Sequence, residues 1–300
     1  MNADDHTRPE DELSPAYLIE RPETPSVPFI FNSPHSGRVY PRSFLSSSRL
    51  DAMTLRKSED CFVEELFSIV VGRGAPLMHA RFPRAYLDVN REPYELDPAL
   101  ISGALPGYAN TRSVRVVGGL GTIARIVTET DEIYREPIPV GAALARINSL
   151  YKPYHDALGA LIGDCHMRFG VAMLVDCHSM PSNSVAEPGA NRPDIVLGDR
   201  FSTSCDPELT RFAAHKLRDL GYAVALNKPY AGGFITEHYG RPSQGLHALQ
   251  LEVNRSLYMN ETNFTKTGGF ATLQADLECF VEALFGIAPQ MFKVPRAAAE

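Results

Sequence analysis

Val171-Ala172-Met173-Leu174-Val175-Asp176-Cys177-His178-Ser179 is the stretch that decides the fold: an apolar run that ends abruptly on an aspartate and a histidine. An apolar run of this length, opened by Gly170, reads as a buried strand, and the charge and imidazole at its end predict a site at the carboxyl edge of a sheet. Strand side chains alternate faces, so Asp176 and His178 share one face and Cys177 takes the other. An aspartate at that spacing can orient the ring of a metal-binding histidine. A buried histidine bonded to its neighbour for structure alone is the competing reading.

Working outward, Val27 to Asn32 reads as a second strand, broken by Ser33-Pro34, which puts His35-Ser36-Gly37 on a loop just past a strand end. Phe62, Val63, Leu66, Phe67 and Val70 recur at helical spacing and predict a helix over Cys61 to Val71, with Glu59 and Asp60 in its first turn, where acids complement the helix dipole. Pro76 to Ala80 and Ala85 to Val89 predict short strands, and Ser113 to Val117 is strand-like. Residues from Glu92 to about Pro139 predict a long excursion with a small hairpin, longer than a plain connection. Val140 to Phe169 is the clearest helix, closed by Gly170. A loop rich in Ser, Pro and Asn follows the central strand. Next come a strand at Asp194 to Leu197, a helix at Pro207 to Leu220 and a strand at Tyr222 to Leu226. Tyr230 to Gly240 is a glycine-rich, flexible stretch carrying His238, followed by a strand at His247 to Val253 and a final helix from Gly269 to about Phe285. This alternation predicts an α/β protein with three layers, a mixed or parallel sheet between helices.

With 300 residues, 44% of them hydrophobic, the chain is long enough for one large domain with a full core. A formal charge of -7 opposes nucleic acid as a general partner. Residues 1–25 lack the apolar core of a signal peptide and read as a polar arm ahead of a single domain at 26–290. No apolar run reaches the roughly 20 residues that span a bilayer, so no membrane partner is expected. Five cysteines without a C-x-x-C pair argue against a disulfide framework or a four-cysteine zinc module, and a reducing cytoplasm is the expected setting.

His35, Asp60 and His178 all fall at expected strand ends or a helix start. Two histidines and a carboxylate make a catalytic zinc set with a position left for water, although without H-E-x-x-H they must converge from distant segments. Glu252 ends an apolar strand and suits a general base; an ion pair with Arg255 or Arg241 is the alternative. Arg91, with Asn90 beside it, and Arg84 are candidates to grip an acidic substrate, against surface ion pairs as the plainer role. Gly119-Leu120-Gly121-Thr122-Ile123-Ala124 matches a dinucleotide pattern but is followed by β-branched residues and prolines rather than a helix, so it is rejected. Cys177 and His178 face opposite sides and cannot form a nucleophilic dyad. His6, His79, His155, His166 and His215 have no carboxylate pattern around them and are assigned no role.

These residues together resemble the N-formylglutamate amidohydrolase family, a branch of the zinc exopeptidase and aspartoacylase group. The likeness runs from about Pro28 to Met259 and is carried by six pieces in order. They are Ser33-Pro34-His35-Ser36-Gly37; Asp60 with Val63 and Leu66-Phe67; Arg84 with Leu87-Asp88-Val89-Asn90-Arg91; Asp176-Cys177-His178-Ser179; Gly232-Gly233 through His238 to Gly240; and His247 to Glu252 with Tyr258-Met259. The resemblance implies a mixed sheet between helices and one zinc, with another divalent metal as the alternative. It implies His35 and His178 as ligands, Glu252 as the catalytic carboxylate and Asn90-Arg91 as the grip on the substrate's acid end. Much of the wider group has a glutamate ligand three residues after the first histidine. Arg38 stands there, so the family's aspartate position, Asp60, is favoured over Glu59. Asn254-Arg255 departs from the expected pattern and leaves Arg255 as a further candidate anchor.

The expected activity is zinc-dependent cleavage of a formyl or short acyl group from an N-acyl acidic amino acid, N-formyl-L-glutamate first, with Glu252 moving the proton and Asn90 or His238 helping at the oxyanion. A cell-wall peptide amidase and a catalytically silent binder of acidic metabolites are the alternatives.

Overall fold

The computed structural model describes residues 9–128, 130–184 and 192–292. In chain order the strands are β1 (Tyr17–Glu20), β2 (Phe29–Ser33), β3 (Leu77–Ala80), β4 (Ile101–Ser102), β5 (Ile138–Pro139), β6 (Ala172–Met180), β7 (Ile195–Gly198), β8 (Val224–Leu226), β9 (Leu246–Asn254), β10 (Met259–Asn260) and β11 (Thr265–Lys266). The helices are α1 (Pro9–Glu12), α2 (Arg42–Ser47), α3 (Ala52–Leu55), α4 (Val63–Phe67), α5 (Val114–Val117), α6 (Val140–Arg146), α7 (Lys152–Phe169), α8 (Pro207–Asp219), α9 (Phe234–Tyr239) and α10 (Gly269–Phe292).

The main sheet has the order β1-β3-β2-β6-β9-β7-β8. Strand β2 runs parallel to β3 and β6, and β6 parallel to β9, whereas β7 is antiparallel to β9 and parallel to β8. This is the mixed sheet of an α/β fold. All nine residues of β6 are buried, which is why the segment reads as an almost unbroken apolar run rather than an alternating one. Met173, Val175 and Cys177 project to one face, where they join Phe29 and Phe31 of β2, Leu249, Leu251 and Val253 of β9, and apolar residues of α4, α8 and α10. Asp176 and His178, one position out of phase, occupy the opposite face. Helix α9 packs against β6 and β9.

Several elements differ from the sequence expectation. The central strand continues through Met180, so Asp176 and His178 lie within it. Asp60 precedes α4, whose N-cap is Phe62 in a left-handed conformation, and the expected helix shortens to α4 followed by a 3-10 turn at Ser68–Arg73. Residues 85–89 form turns instead of a strand, although Leu87 and Val89 are fully buried. Their apolar character fills the core beneath a loop, a use that periodicity cannot separate from a strand. Val114–Val117 is helical because Ser113 caps it, its hydroxyl accepting from Val116 N–H. Among the described residues the long excursion carries the parallel pair β4 and β5 and, where a small hairpin is expected, an isolated antiparallel bridge between Ile126 and Glu132. Tyr230 to Gly240 holds a helix, α9. The expected long helix is present as α6 and α7 joined through a π turn at Ile147–Tyr151.

Within residues 1–25, Tyr17–Glu20 form the edge strand β1, and residues 1–8 lie outside the described residues. The Ser-, Pro- and Asn-rich loop after β6 falls partly on 185–191, also outside them. By contacts the chain groups into two compact units, one of Met1–Leu18, His35–Glu59 and Ala80–Ala157, the other of Ile19–Pro34, Asp60–His79 and Leu158–Glu300. Among the described residues no helix is long and apolar enough to cross a membrane.

Candidate active site

In the unit that contains the main sheet, the parallel register sets Asp176 between Asn32 on β2 and Gln250 on β9, and His178 level with Glu252. The carboxyl ends of these strands thus collect a histidine and two carboxylates on one face. Asn32 donates its amide to Asp176 Oδ1 at 2.8 Å, and Asp176 Oδ2 meets His178 Nε2 at 2.9 Å. With Nε2 so tied, His178 turns Nδ1 toward Asp60 Oδ2 at 3.0 Å. Asp60 Oδ1 accepts from the Ser179 hydroxyl at 3.1 Å and from Arg255 Nη2 at 3.3 Å, while Arg255 Nε donates to the same Ser179 hydroxyl at 3.1 Å. Arg255, left open by sequence as an anchor for an acidic substrate, therefore holds Asp60. Glu252 Oε1 accepts from Gln250 Nε2 at 2.8 Å, and Gln250 Oε1 accepts the Gly233 N–H ahead of α9 at 2.8 Å. One amide side chain thereby fixes both a buried glutamate and the start of the helix that carries His238. His238 itself is exposed and stacks on Phe234 at 5.0 Å.

In the other unit His35 Nε2 lies 2.8 Å from Asp88 Oδ1, which also accepts the Asn90 N–H at 2.8 Å. Arg84 Nε donates to Asp88 Oδ2 at 3.0 Å, and Arg91 Nη2 stands 3.6 Å from the same oxygen. Arg91 is buried and also donates to the carbonyls of Leu120 and Asn90. Arg84, with a side chain 30% exposed, has the more accessible guanidinium of the two. Gly37 is required by close approach: a Cβ there would sit 2.1 Å from the Phe82 carbonyl oxygen. Glu59, the alternative to Asp60, takes the Tyr40 hydroxyl at 2.5 Å and Arg56 Nε at 3.1 Å.

His35, Asp60 and His178 are all buried, and the atoms they offer as ligands lie within 4.8 Å of one another. The donor set of two imidazoles and one carboxylate suits zinc and similar divalent ions. Each imidazole has Nε2 against a buried carboxylate, the arrangement that fixes the tautomer and aims Nδ1 at a metal. The residues therefore fit a metal ion.

The electrostatics agree. Burial alone would disfavour the His178 imidazolium, yet Asp176, Asp60 and Glu252 override it and hold the ring well above the usual histidine range. A position so rich in negative charge draws a proton or a metal ion. Burial likewise pushes the Asp88 carboxyl up, but Arg91, His35 and Arg84 bring it well below its ordinary value. Arg91 is lowered to about 10 by burial, against the pull of Asp88, and stays charged at neutral pH. Burial and the nearby Asp176 raise the Cys177 thiol well above its ordinary value, in keeping with an inert core residue. Burial and Arg241 lower the His238 imidazole.

Asp88 and Gln250 are the residues that sequence reasoning passed over as parts of the site. Asp88 carried a usable signal, an acid inside the buried run Leu87-Asp88-Val89, the same interruption that singled out Asp176. Gln250 sits two positions before Glu252 on the same strand face, as Asp176 does before His178.

The family model for N-formylglutamate amidohydrolase matches residues 27–259. The N-formylglutamate deformylase of Pseudomonas putida is 30% identical over 240 residues, 79% of this chain and 83% of that protein. The crystal structure of N-formylglutamate amidohydrolase from Ralstonia eutropha superposes with a TM-score of 0.86 at 35% identity, covering 93% of this chain and 99% of that one. A gene product of Agrobacterium tumefaciens shares the fold at a TM-score of 0.66 and 19% identity, over 91% of this chain and 96% of its own.

Proposed function

The chain belongs to the N-formylglutamate amidohydrolase family, and from that premise we propose that it hydrolyses the amide bond of an N-formyl or other short N-acyl acidic amino acid, N-formyl-L-glutamate before others. The observation that carries this reading is the buried His35, Asp60 and His178 group in a chain where His178 stands level with a buried glutamate, Glu252. A zinc ion on that group would supply a Lewis acid for the amide carbonyl and lower the pKa of a water to about 7.

The chain's own residues supply the rest. Glu252, held through one oxygen by Gln250, accepts the proton of the attacking water and delivers it to the leaving nitrogen, a role that contributes about 10²–10⁴ in rate. His238 and Asn90 donate to the carbonyl oxygen as it gains charge. Burial and Arg241 shift the His238 ring toward its neutral form, which donates through one N–H. Arg84 and Arg91 pair with the carboxylates of the amino acid, Arg84 through the more accessible guanidinium and Arg91 through a buried one, both beside Asp88. This pairing orients the scissile amide and sets the preference for an acid. Residues 26–290 act as one catalytic domain, and the five cysteines without a C-x-x-C pair favour a reducing cytoplasm as its setting.

Purified protein is expected to release formate from N-formyl-L-glutamate at least about tenfold faster than from N-formyl-L-glutamine, since loss of one charge removes a bidentate contact. Equal rates on the two compounds contradict the assignment of the arginines.

A further inference from the structure

A cavity of about 570 Å³ lies among residues to which the proposed reaction gives no part. Its walls are mostly apolar and aromatic, with Phe44, Tyr134, Ile138, Pro139 and Ala142 lining it beside Tyr86, and Arg146 contributes the buried charge. The volume is in the range of sites that take small molecules. Arg146 is 8% exposed. Its guanidinium lies over the Tyr86 ring at 3.9 Å, and Nη1 donates both to the Tyr86 carbonyl at 3.1 Å and to the Tyr134 hydroxyl at 2.7 Å.

Both of those acceptors are neutral. Among the described residues Arg146 makes no ion pair, and its hydrogen bonds leave from Nη1, not from the Nε–Nη2 edge. That edge is the one that grips a carboxylate through two parallel bonds. The carboxylate among the lining residues, Glu136, is exposed. The Tyr86 and Tyr134 rings, 3.9 and 5.6 Å from the guanidinium, keep it charged inside the cavity wall, where a ligand carboxylate would supply the counter-charge. An apolar cavity lined by such a group matches a molecule with an acid at one end and a small hydrophobic body at the other.

We propose that this cavity binds a small organic carboxylate with an apolar body, its acid on the Nε–Nη2 edge of Arg146 and its body among Phe44, Tyr134 and Ile138. The ligand class differs from the doubly acidic, polar substrate of the preceding section, and the site stands or falls independently of the metal and of the reaction.

The test is calorimetric titration of the full-length protein with benzoate and, separately, with benzamide, which has the same shape without the charge. Benzoate is expected to bind at one site, and benzamide at least about tenfold more weakly, as the loss of a charge-assisted contact requires. Arg146→Met is expected to weaken benzoate by a similar factor. Because Arg146 also holds the Tyr86 carbonyl, a second variant, Ala142→Phe, fills the cavity from its exposed wall without touching the arginine; it is expected to abolish benzoate binding while keeping the circular dichroism spectrum of the parent. Absence of benzoate binding at millimolar concentration overturns the proposal, as does equal affinity for benzoate and benzamide, or benzoate affinity unchanged by Ala142→Phe.

Discussion

Each of the two candidate metal-binding histidines has one ring nitrogen against a buried aspartate, Asp176 for His178 and Asp88 for His35. The first pair was legible in the sequence because its members sit two residues apart on a strand and so share a face. The second spans 53 positions, and no local pattern links a loop histidine to an acid so far along the chain. Removing either orienting carboxylate is expected to weaken metal binding by about 10–100-fold, so Asp176→Asn and Asp88→Asn, titrated with zinc against a competing chelator, should both fall in that range. Unchanged affinity in both variants contradicts the orienting role. Asp88 also carries a pH signature. Its folded pKa lies well below the ordinary value, so its contribution to stability is fully present above about pH 4 and is lost as pH falls through the folded pKa. The denaturation free energies of the parent and Asp88→Asn are therefore expected to differ by about 3 kcal/mol near pH 7, the usual cost of breaking a buried pair, and to converge as the pH drops below about 4. A gap that stays constant down to pH 3 removes the charge from the explanation.

At the scale of elements, strands β6 and β9 bring the chemistry together, because a parallel pair in register repeats the same phase on both strands. Asp176 and His178 on one thus match Gln250 and Glu252 on the other. The strands were readable from their apolar runs. Helix α9 was not, since its six residues follow Gly232-Gly233 and resemble a loop in composition. Gln250 ties this helix to the glutamate. Gln250→Leu leaves a buried N–H and a buried carboxylate oxygen short of a partner, and is expected to cost about 1–3 kcal/mol in chemical denaturation. The apolar run at 85–89 reads as a strand yet folds as turns, and the structure shows how this irregular segment is kept in place. Arg146, Tyr151 and His155, spread along α6, the π turn and α7, bond the carbonyls of Tyr86, Arg91 and Val89. These bonds replace the ladder that a strand would have had. Tyr151→Phe deletes the hydroxyl that binds the Arg91 carbonyl and is expected to cost about 1 kcal/mol; a measured change below a few tenths would show that the loop holds itself.

Across the whole molecule, the alternation of strands and helices was enough to anticipate a mixed sheet flanked by helices, because each long element buries a face whose period survives in the sequence. What could not be anticipated was the geometry that joins His35, Asp60 and His178 from three distant segments, since spacing carries no distance. The central claim is that this group holds the catalytic metal. The most direct measurement strips the protein with a chelator, confirms the loss by elemental analysis, and follows formate release from N-formyl-L-glutamate as zinc is returned. The account predicts that stripping abolishes the rate and that activity rises linearly to a plateau at one equivalent of zinc per chain, with no recovery for His178→Ala at that stoichiometry. Full activity in the stripped protein, or recovery in His178→Ala matching the parent, would contradict it.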